Sequence, residues 1–237
     1  MNTSVLLPAR EGYDRWAPKY DETFNPVIAR EERYLEPFMQ GVQGKSVLDL
    51  ACGTGRWLEK VFAMGAHFGA GIDRSHAMLN VAQKKSSLQG KLINADCLSL
   101  PFRSSVFEFV ICSFALSHVP DLQRLVRELV RVLKLQGEIL ISDLHPEAYA
   151  RGWRTGFRDA CSAVQIEVFP RSLQEVVQTF QAEGLDCLAN ESLHLGEPER
   201  PIFVSAHKQH VFDEMVRIPA VLVCLFKKCR TTRAHDQ

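Results

Sequence analysis

Three acids close three successive apolar runs, and a glycine turn follows the first. Asp49 stands in Ser46 to Leu50, just before Ala51-Cys52-Gly53-Thr54-Gly55; Asp73 follows the run His67 to Ile72; Asp96 follows Lys91 to Asn94. The two glycines let the backbone bend tightly and approach a ligand closely, and a helix N-terminus after them presents unpaired N–H groups. Asp49 would repel a pyrophosphate and attract an ammonium or sulfonium group. Asp73 can accept hydrogen bonds from both hydroxyls of a ribose, and Asp96 suits the exocyclic amine of adenine. A ligand with an ammonium, a carboxylate for the loop N–H groups, a sulfonium, a ribose and an adenine is S-adenosylmethionine (SAM). The dinucleotide fingerprint wants a third glycine where this chain has Leu58, which together with Asp49 argues against NAD.

A second group of residues could handle a proton. Asp143 and His145 sit at the end of the run Glu138 to Leu144. A histidine there could accept a proton, with Asp143 orienting it. The structural alternative has Asp143 capping the strand end and His145 in a turn before Pro146. His118, in Leu116-Ser-His-Val-Pro-Asp121, either touches substrate or fixes its loop through backbone hydrogen bonds. Tyr13, Trp16 and Tyr20 either line the site or dock an N-terminal helix, and Pro18 argues against one continuous helix through all three.

These groups must be held by elements that the apolar pattern predicts. Short apolar runs alternate with amphipathic segments: strands at 46–50, 67–72, 91–94, 106–113 and 138–144, then around 185–191 and 220–226. The helix carrying Leu122, Leu125, Val126, Leu129, Val130 and Leu133 is the clearest, and Gly137 marks a turn out of it. Ser75 is the expected N-cap of a helix with Met78, Leu79 and Ala82 on one face. Ser172 and Glu175 read as a capping box for a helix burying Leu173, Val176, Val177 and Phe180. Wholly apolar inner strands predict a mostly parallel sheet with helices on both faces, and ligands of such a sheet bind at the carboxyl ends of the strands. Residues 1–43 and 145–171 stand outside the alternation and are expected to cover the mouth of the site.

Composition narrows the function. The chain has 237 residues, 46% hydrophobic and 24% charged, the balance of a folded globular protein. Lys plus Arg equal Asp plus Glu at 28 each, so no bulk charge draws it to nucleic acid or anionic lipid. No apolar run approaches the roughly 20 residues of a spanning helix, and the start, MNTSVLLPAR, has no signal-peptide pattern. Seven cysteines, an odd number without a C-x-x-C pair, predict reduced thiols of a cytoplasmic protein and no metal site. The basic tail Lys227, Lys228, Arg230, Arg233 is expected to be solvated.

VLDLACGTGRW, the Gly71-Ile72-Asp73 triplet, NADCLSLPF, SFALSHVPD and LKLQGEILISD, taken in order, resemble the class I SAM-dependent methyltransferases, in particular the ubiquinone/menaquinone-type small-molecule enzymes. The N-terminal Tyr13-Asp to Tyr20-Asp21 stretch adds to the likeness. The resemblance implies a single α/β, doubly wound, Rossmann-like domain over 1–237: a seven-stranded, mostly parallel sheet with an antiparallel last strand, an N-terminal helical lid (1–43) and a substrate-side insertion (145–171). It implies that Asp49, Ala51, Cys52, Gly53, Thr54 and Gly55 hold the methionine part, Asp73 the ribose, and Asp96 with Cys97 the adenine. Arg74, Met78, Ser113 and Tyr20 complete the cofactor side, and His118, Tyr13 and Trp16 face the substrate. Ala51 stands where many members have glycine.

The function expected is methyl transfer from SAM to a small, apolar or aromatic acceptor, on carbon or oxygen, with His145 as base where a proton must leave. The alternative is a non-catalytic SAM-binding or regulatory partner. A nucleic-acid methyltransferase is disfavoured, since Ser113-Phe-Ala-Leu116 replaces the Asn/Asp-Pro-Pro-aromatic run of enzymes that methylate base amines.

Overall fold

The structure, a computed structural model, describes residues 4–22, 25–159 and 162–229. Cys161, Arg230 and Arg233 lie outside the described residues, as do parts of the two stretches expected to cover the site.

The chain opens with β1 (Ser4–Leu7), α1 (Ala9–Trp16) and α2 (Pro26–Met39). An alternation follows: β2 (Ser46–Leu50), α3 (Arg56–Ala63), β3 (Phe68–Asp73), α4 (His76–Ala82), β4 (Leu92–Asn94), β5 (Phe107–Ser113), α5 (Leu122–Val132) and β6 (Leu133–Leu144). Then come α6 (Pro146–Ala150), β7 (Gly156–Arg158), β8 (Ala163–Ile166), α7 (Leu173–Ala182), β9 (Asp186–His194), α8 (Arg200–Ser205), α9 (Gln209–Met215) and β10 (Pro219–Lys227).

Seven strands form one sheet in the order β4-β3-β2-β5-β6-β10-β9, with β10 antiparallel to both its neighbours. The doubly wound sheet with an antiparallel last strand is therefore present. Its order reverses between β2 and β5, where the carboxyl ends splay apart and leave a crevice. The inner strands are buried on both faces. On β10, Leu222, Cys224 and Phe226 join the cluster under α5 and α7, while Val221 and Val223 join the one that includes residues of α2, α3, α8 and α9. Phe180 of α7 stacks on Phe226 at 4.3 Å between ring centroids. Each such side chain contributes roughly 1.5–3 kcal/mol by leaving water.

The helix starts follow their caps. Ser75 Oγ accepts from Met78 N at 3.1 Å, and Ser172 Oγ accepts from Glu175 N at 3.1 Å. Pro18 ends α1 as expected, in a 3₁₀ turn over Ala17–Lys19. Other expectations are corrected. The chain leaves α5 straight into β6 at Leu133, and Gln136 rather than Gly137 takes the left-handed backbone, at φ 65°. Gly137 is needed for a close approach: a Cβ there would lie 2.8 Å from the Leu133 side chain and 2.9 Å from the Lys134 carbonyl oxygen. Lys228 is not solvated. Its Nζ donates to the carbonyls of Val130 at 2.7 Å and Leu133 at 2.9 Å, satisfying acceptors where α5 ends.

The stretches expected to cover the site divide into different parts. One face of α2 is core: Leu35 and Met39 are fully buried on the sheet, and so is the carboxylate of Glu31. The cover is a small second sheet, β1-β8-β7, in which β1 runs parallel to β8 and joins the N-terminus to the insertion. Among the described residues no helix is long and apolar enough to cross a membrane.

Candidate active site

Two cavities meet above the carboxyl ends of the strands. The first follows the ends of β2, β3 and β5, and Ala51, Gly53, Asp73, Arg74, Met78, Asp96, Cys97 and Ser113 all lie on its wall. The second, of about 400 Å³, lies between the end of β6, the start of α2, the small sheet and the α8–α9 segment. Its walls carry Trp16, Trp153, Phe203 and Met215, with Asp143 at its edge. Tyr13, Tyr20 and Phe114 line both cavities and form their common wall.

The glycine turn is a strained, self-satisfied loop. Ala51, Gly53 and Gly55 have φ of 55°, 54° and 78°. A Cβ on Gly55 would lie 2.3 Å from Leu88, so only glycine fits there. Cys52 N donates to the Ile72 carbonyl and Gly55 N to the Cys52 carbonyl, both at 2.8 Å, and Gly53 N donates to Asp73 Oδ2 at 2.8 Å. Three N–H groups expected to meet a carboxylate are thus already bonded. The donor left over is Arg56, in the first turn of α3. Its Nη2 reaches Ser113 Oγ at 3.1 Å, and its Nη1 is, among the described residues, the buried side-chain atom without a hydrogen-bond partner, with Glu32 at 3.7 Å.

The acids sort by depth. Asp73 Oδ1 takes the Ser75 N–H at 2.7 Å, so this carboxylate clamps the glycine turn to the start of α4 while facing the cavity. Burial raises its pKa, against the pull of the Ser75 and Gly53 N–H groups. Asp96 Oδ1 accepts from Leu98 N at 2.9 Å, and Arg74 stands 3.7 Å from its other oxygen. Asp49 is 2% exposed, does not line the cavity, and accepts from Leu58 N at 3.0 Å within α3. Burial pushes its carboxyl up to about 7, while Arg56 and the Leu58 N–H pull it back.

An acid at the end of β3 for a ribose and an acid beyond β4 for an amine fit SAM, while Arg56 lies off the cavity wall with its Nη1 in ion-pair reach of Glu32.

Known proteins place the chain. Residues 48–141 match the family model described as a methyltransferase domain. A demethylmenaquinone methyltransferase of Bacillus licheniformis is 30% identical over 147 residues, covering 58% of this chain and 63% of that protein. A demethylmenaquinone methyltransferase of Listeria welshimeri is 30% identical over 157 residues, 61% of this chain and 65% of that protein. The match thus spans less than two thirds of either relative. The crystal structure of a putative S-adenosylmethionine-dependent methyltransferase from Listeria monocytogenes superposes with a TM-score of 0.66 at 19% identity, covering 85% of this chain and 99% of that one.

Residues 48–141 match a methyltransferase domain, and the fold is that of the solved S-adenosylmethionine-dependent methyltransferase.

Around that domain the structure sorts the expected residues. Of the cofactor-side set, Tyr20 lines the cavity with the residues named above, whereas Asp49, Cys52, Thr54 and Gly55 are not on its wall. Thr54 Oγ1 donates to Asp21 Oδ1 at 2.7 Å, which ties the N-terminal segment to the methyltransferase domain. The pairing of His145 with Asp143 does not form. His145 Nδ1 accepts from Glu147 N at 3.2 Å as the N-cap of α6, its Nε2 lies 3.1 Å from Ser192 Oγ, and it lines neither cavity. Asp143, 3% exposed, accepts from Ser117 N at 2.6 Å, Ser117 Oγ at 3.1 Å and Leu144 N at 2.6 Å. His118 instead meets Tyr13: its Nε2 is 3.0 Å from Tyr13 Oη.

Sequence reasoning missed Glu31, Arg56 and Asp14. Glu31 is 0% exposed. Its Oε1 accepts from Ser113 Oγ and Ser142 Oγ, both at 2.7 Å, and from Trp57 Nε1 at 3.2 Å, and its Oε2 accepts from Arg56 at 2.9 Å. Asp14 accepts from Ser75 Oγ at 2.6 Å and pins α1 over the start of α4. The available signal was an acid inside an apolar helical stripe, Glu31 between Val27 and Leu35, where a charge must have a buried partner.

Proposed function

We propose that the chain transfers a methyl group from SAM to a small hydroxyaromatic acceptor held in the 400 Å³ cavity. The observation that carries this is the common wall of Tyr13, Tyr20 and Phe114, because two reactants bound on its two sides would have their reacting atoms brought together there. Bound SAM supplies an electrophilic methyl group on a sulfonium, whose transfer needs little from the protein beyond orientation and a dry site. Asp73 and Asp96 hold the donor's ribose and base, and the α1 aromatics shut out water. Trp16 stacks on Phe157 at 5.1 Å and sits edge-on to Tyr20 at 4.9 Å, closing the roof with the small sheet. Apolar and aromatic walls favour a flat acceptor. The names of the Bacillus and Listeria relatives make a reduced demethylmenaquinone the first candidate. The place of action is the cytoplasm, and no nucleic acid takes part.

Incubation with methyl-labelled SAM and a chemically reduced, short-chain demethylmenaquinone tests this. Label is expected in the extracted quinone. SAM binding without label transfer to this quinol, or to a panel of simpler phenols, would leave the non-catalytic SAM-binding alternative in its place.

A further inference from the structure

We propose that Tyr13 and His118 form a relay that removes the acceptor's hydroxyl proton, a role that rests on the methyl-transfer function above. The geometry gives the relay a direction. His118 Nδ1 lies 3.0 Å from the carbonyl oxygen of Glu167, which can only accept, so Nδ1 carries a proton. In the neutral imidazole Nε2 is then a lone pair, and Tyr13 Oη, 3.0 Å away, donates to it. Tyr13 lines both cavities, so its side chain stands on the wall they share. Its ring is held edge-on to His118 at 5.2 Å and stacked near Trp16 at 6.0 Å.

The charged and titratable surroundings favour proton passage rather than a standing tyrosinate. Tyr20, Tyr149, Asp143 and Asp73 all face Tyr13, and with burial they hold its pKa well above the ordinary value of 10.0. Tyr13 therefore stays neutral and hands protons on. Asp143 faces His118, and the two charges favour one another. Asp143 is fixed in place by Ser117 and Leu144. His118 is only half-buried and can return its proton to water.

The step balances. The acceptor's O–H proton passes to Tyr13 Oη as Tyr13's own proton passes to His118 Nε2, leaving a neutral tyrosine, an imidazolium and an acceptor oxyanion. That oxyanion, or the ring carbon conjugated with it, bonds to the methyl carbon while the carbon–sulfur bond gives its electron pair to sulfur. When carbon is alkylated, the ring proton it displaces restores the hydroxyl. One proton per turnover leaves through His118.

Two measurements test the relay. Nitrogen NMR of histidine-labelled protein with S-adenosylhomocysteine should show the neutral His118 ring with its proton on Nδ1, and Tyr13→Phe should move the Nε2 signal downfield as its donor is lost. A proton on Nε2 with a bare Nδ1 would overturn the relay, and this readout needs no acceptor. In turnover with the quinol, Tyr13→Phe and His118→Gln should each lower kcat by about 10²–10⁴-fold with SAM affinity within about threefold. The double variant should be little worse than either single one, since the two act as a unit. Glutamine can keep both hydrogen bonds but cannot take the proton, so a folded His118→Gln enzyme with more than about a third of the parent kcat would reduce His118 to a positioning residue and overturn the proposal. Absence of turnover in the parent would count against methyl transfer itself, and the tautomer would then decide the relay alone.

Discussion

The two cavities share a wall but are built in different ways. Apart from a few residues of α1 and the turn after it, the cofactor cavity takes its wall from one continuous part of the chain, residues 50–120, where each β-strand delivers a short loop to the same edge. The acceptor cavity gathers residues 13–28, 114, 143–156 and 202–215, which only the finished fold brings together. The first is polar at fixed points: Asp73 and Asp96 are held by backbone N–H groups within their own loops. The second draws Trp16, Trp153, Phe203 and Met215 from separate segments, and its Asp143 is tied to Ser117, 26 residues away. A ligand recognised through backbone-clamped acids tolerates little variation at those loops. A ligand recognised through apolar shape can be exchanged by repacking, so one domain can keep its methyl donor while its acceptor changes.

Glu31 joins the two regions, and its loss should have the largest effect. It ties α2, whose start walls the acceptor cavity, to Ser113 on the cofactor cavity. Glu31→Ala leaves Arg56 without its buried counter-charge, and removing one partner of a buried pair costs about 3–5 kcal/mol. Urea unfolding should show that loss. A change below about 1 kcal/mol would mean that the two regions are held together by apolar packing alone.

Asp73 belongs to the cofactor side only. Asp73→Ala removes a charged acceptor from the ribose and unties Gly53 N and Ser75 N. Hydrogen bonds to charged groups are worth roughly 1.5–3 kcal/mol, so calorimetry should show SAM affinity falling at least about tenfold. Acceptor KM, measured at saturating SAM, should stay nearly constant. A comparable rise in that KM would blur the division between the cavities.

Asp49 tests the ground beneath the glycine turn. Its carboxyl is raised from 3.8 to about 7 by burial. An acid whose folded pKa is raised binds a proton that the unfolded chain has released, so its contribution to stability is lost as pH rises from about 4 to about 7. Asp49→Asn keeps an acceptor for Leu58 N and removes the titration. The fall in the urea midpoint between pH 5 and pH 8 should be smaller in the variant than in the parent.

The smallest effect belongs to Ala51. Its left-handed backbone costs an alanine roughly 1–2 kcal/mol relative to glycine, offset by the greater freedom of glycine in the unfolded chain, roughly 0.4–1 kcal/mol. Ala51→Gly should raise stability by about 0.5–1 kcal/mol in thermal unfolding without altering SAM affinity. A loss of stability would show that the methyl group of Ala51 packs on the core beneath it.

The sheet could be read from the sequence because burial on both faces forces unbroken apolar strands, and the strand ends then locate the loops. The placing of Asp73 and Asp96 on the cavity wall followed from that alone. The place of His145 did not, because a histidine just past a strand can turn to either side, and here the N-terminus of α6 claims it. The pairing of Tyr13 with His118 spans 105 residues and carries no pattern in the chain.

What the sequence determined by itself is the alternating frame and the strand-end loops that line the first cavity, since local period, caps and turn glycines act within a few residues of one another. The tertiary structure alone decided which side chains face the acceptor. That choice depends on β1 pairing with β8, on α2 burying Glu31, and on α8 and α9 closing the far wall. Each is a contact between segments far apart in the chain, and its free energy comes from burial and mutual hydrogen bonding that neither segment shows when read alone.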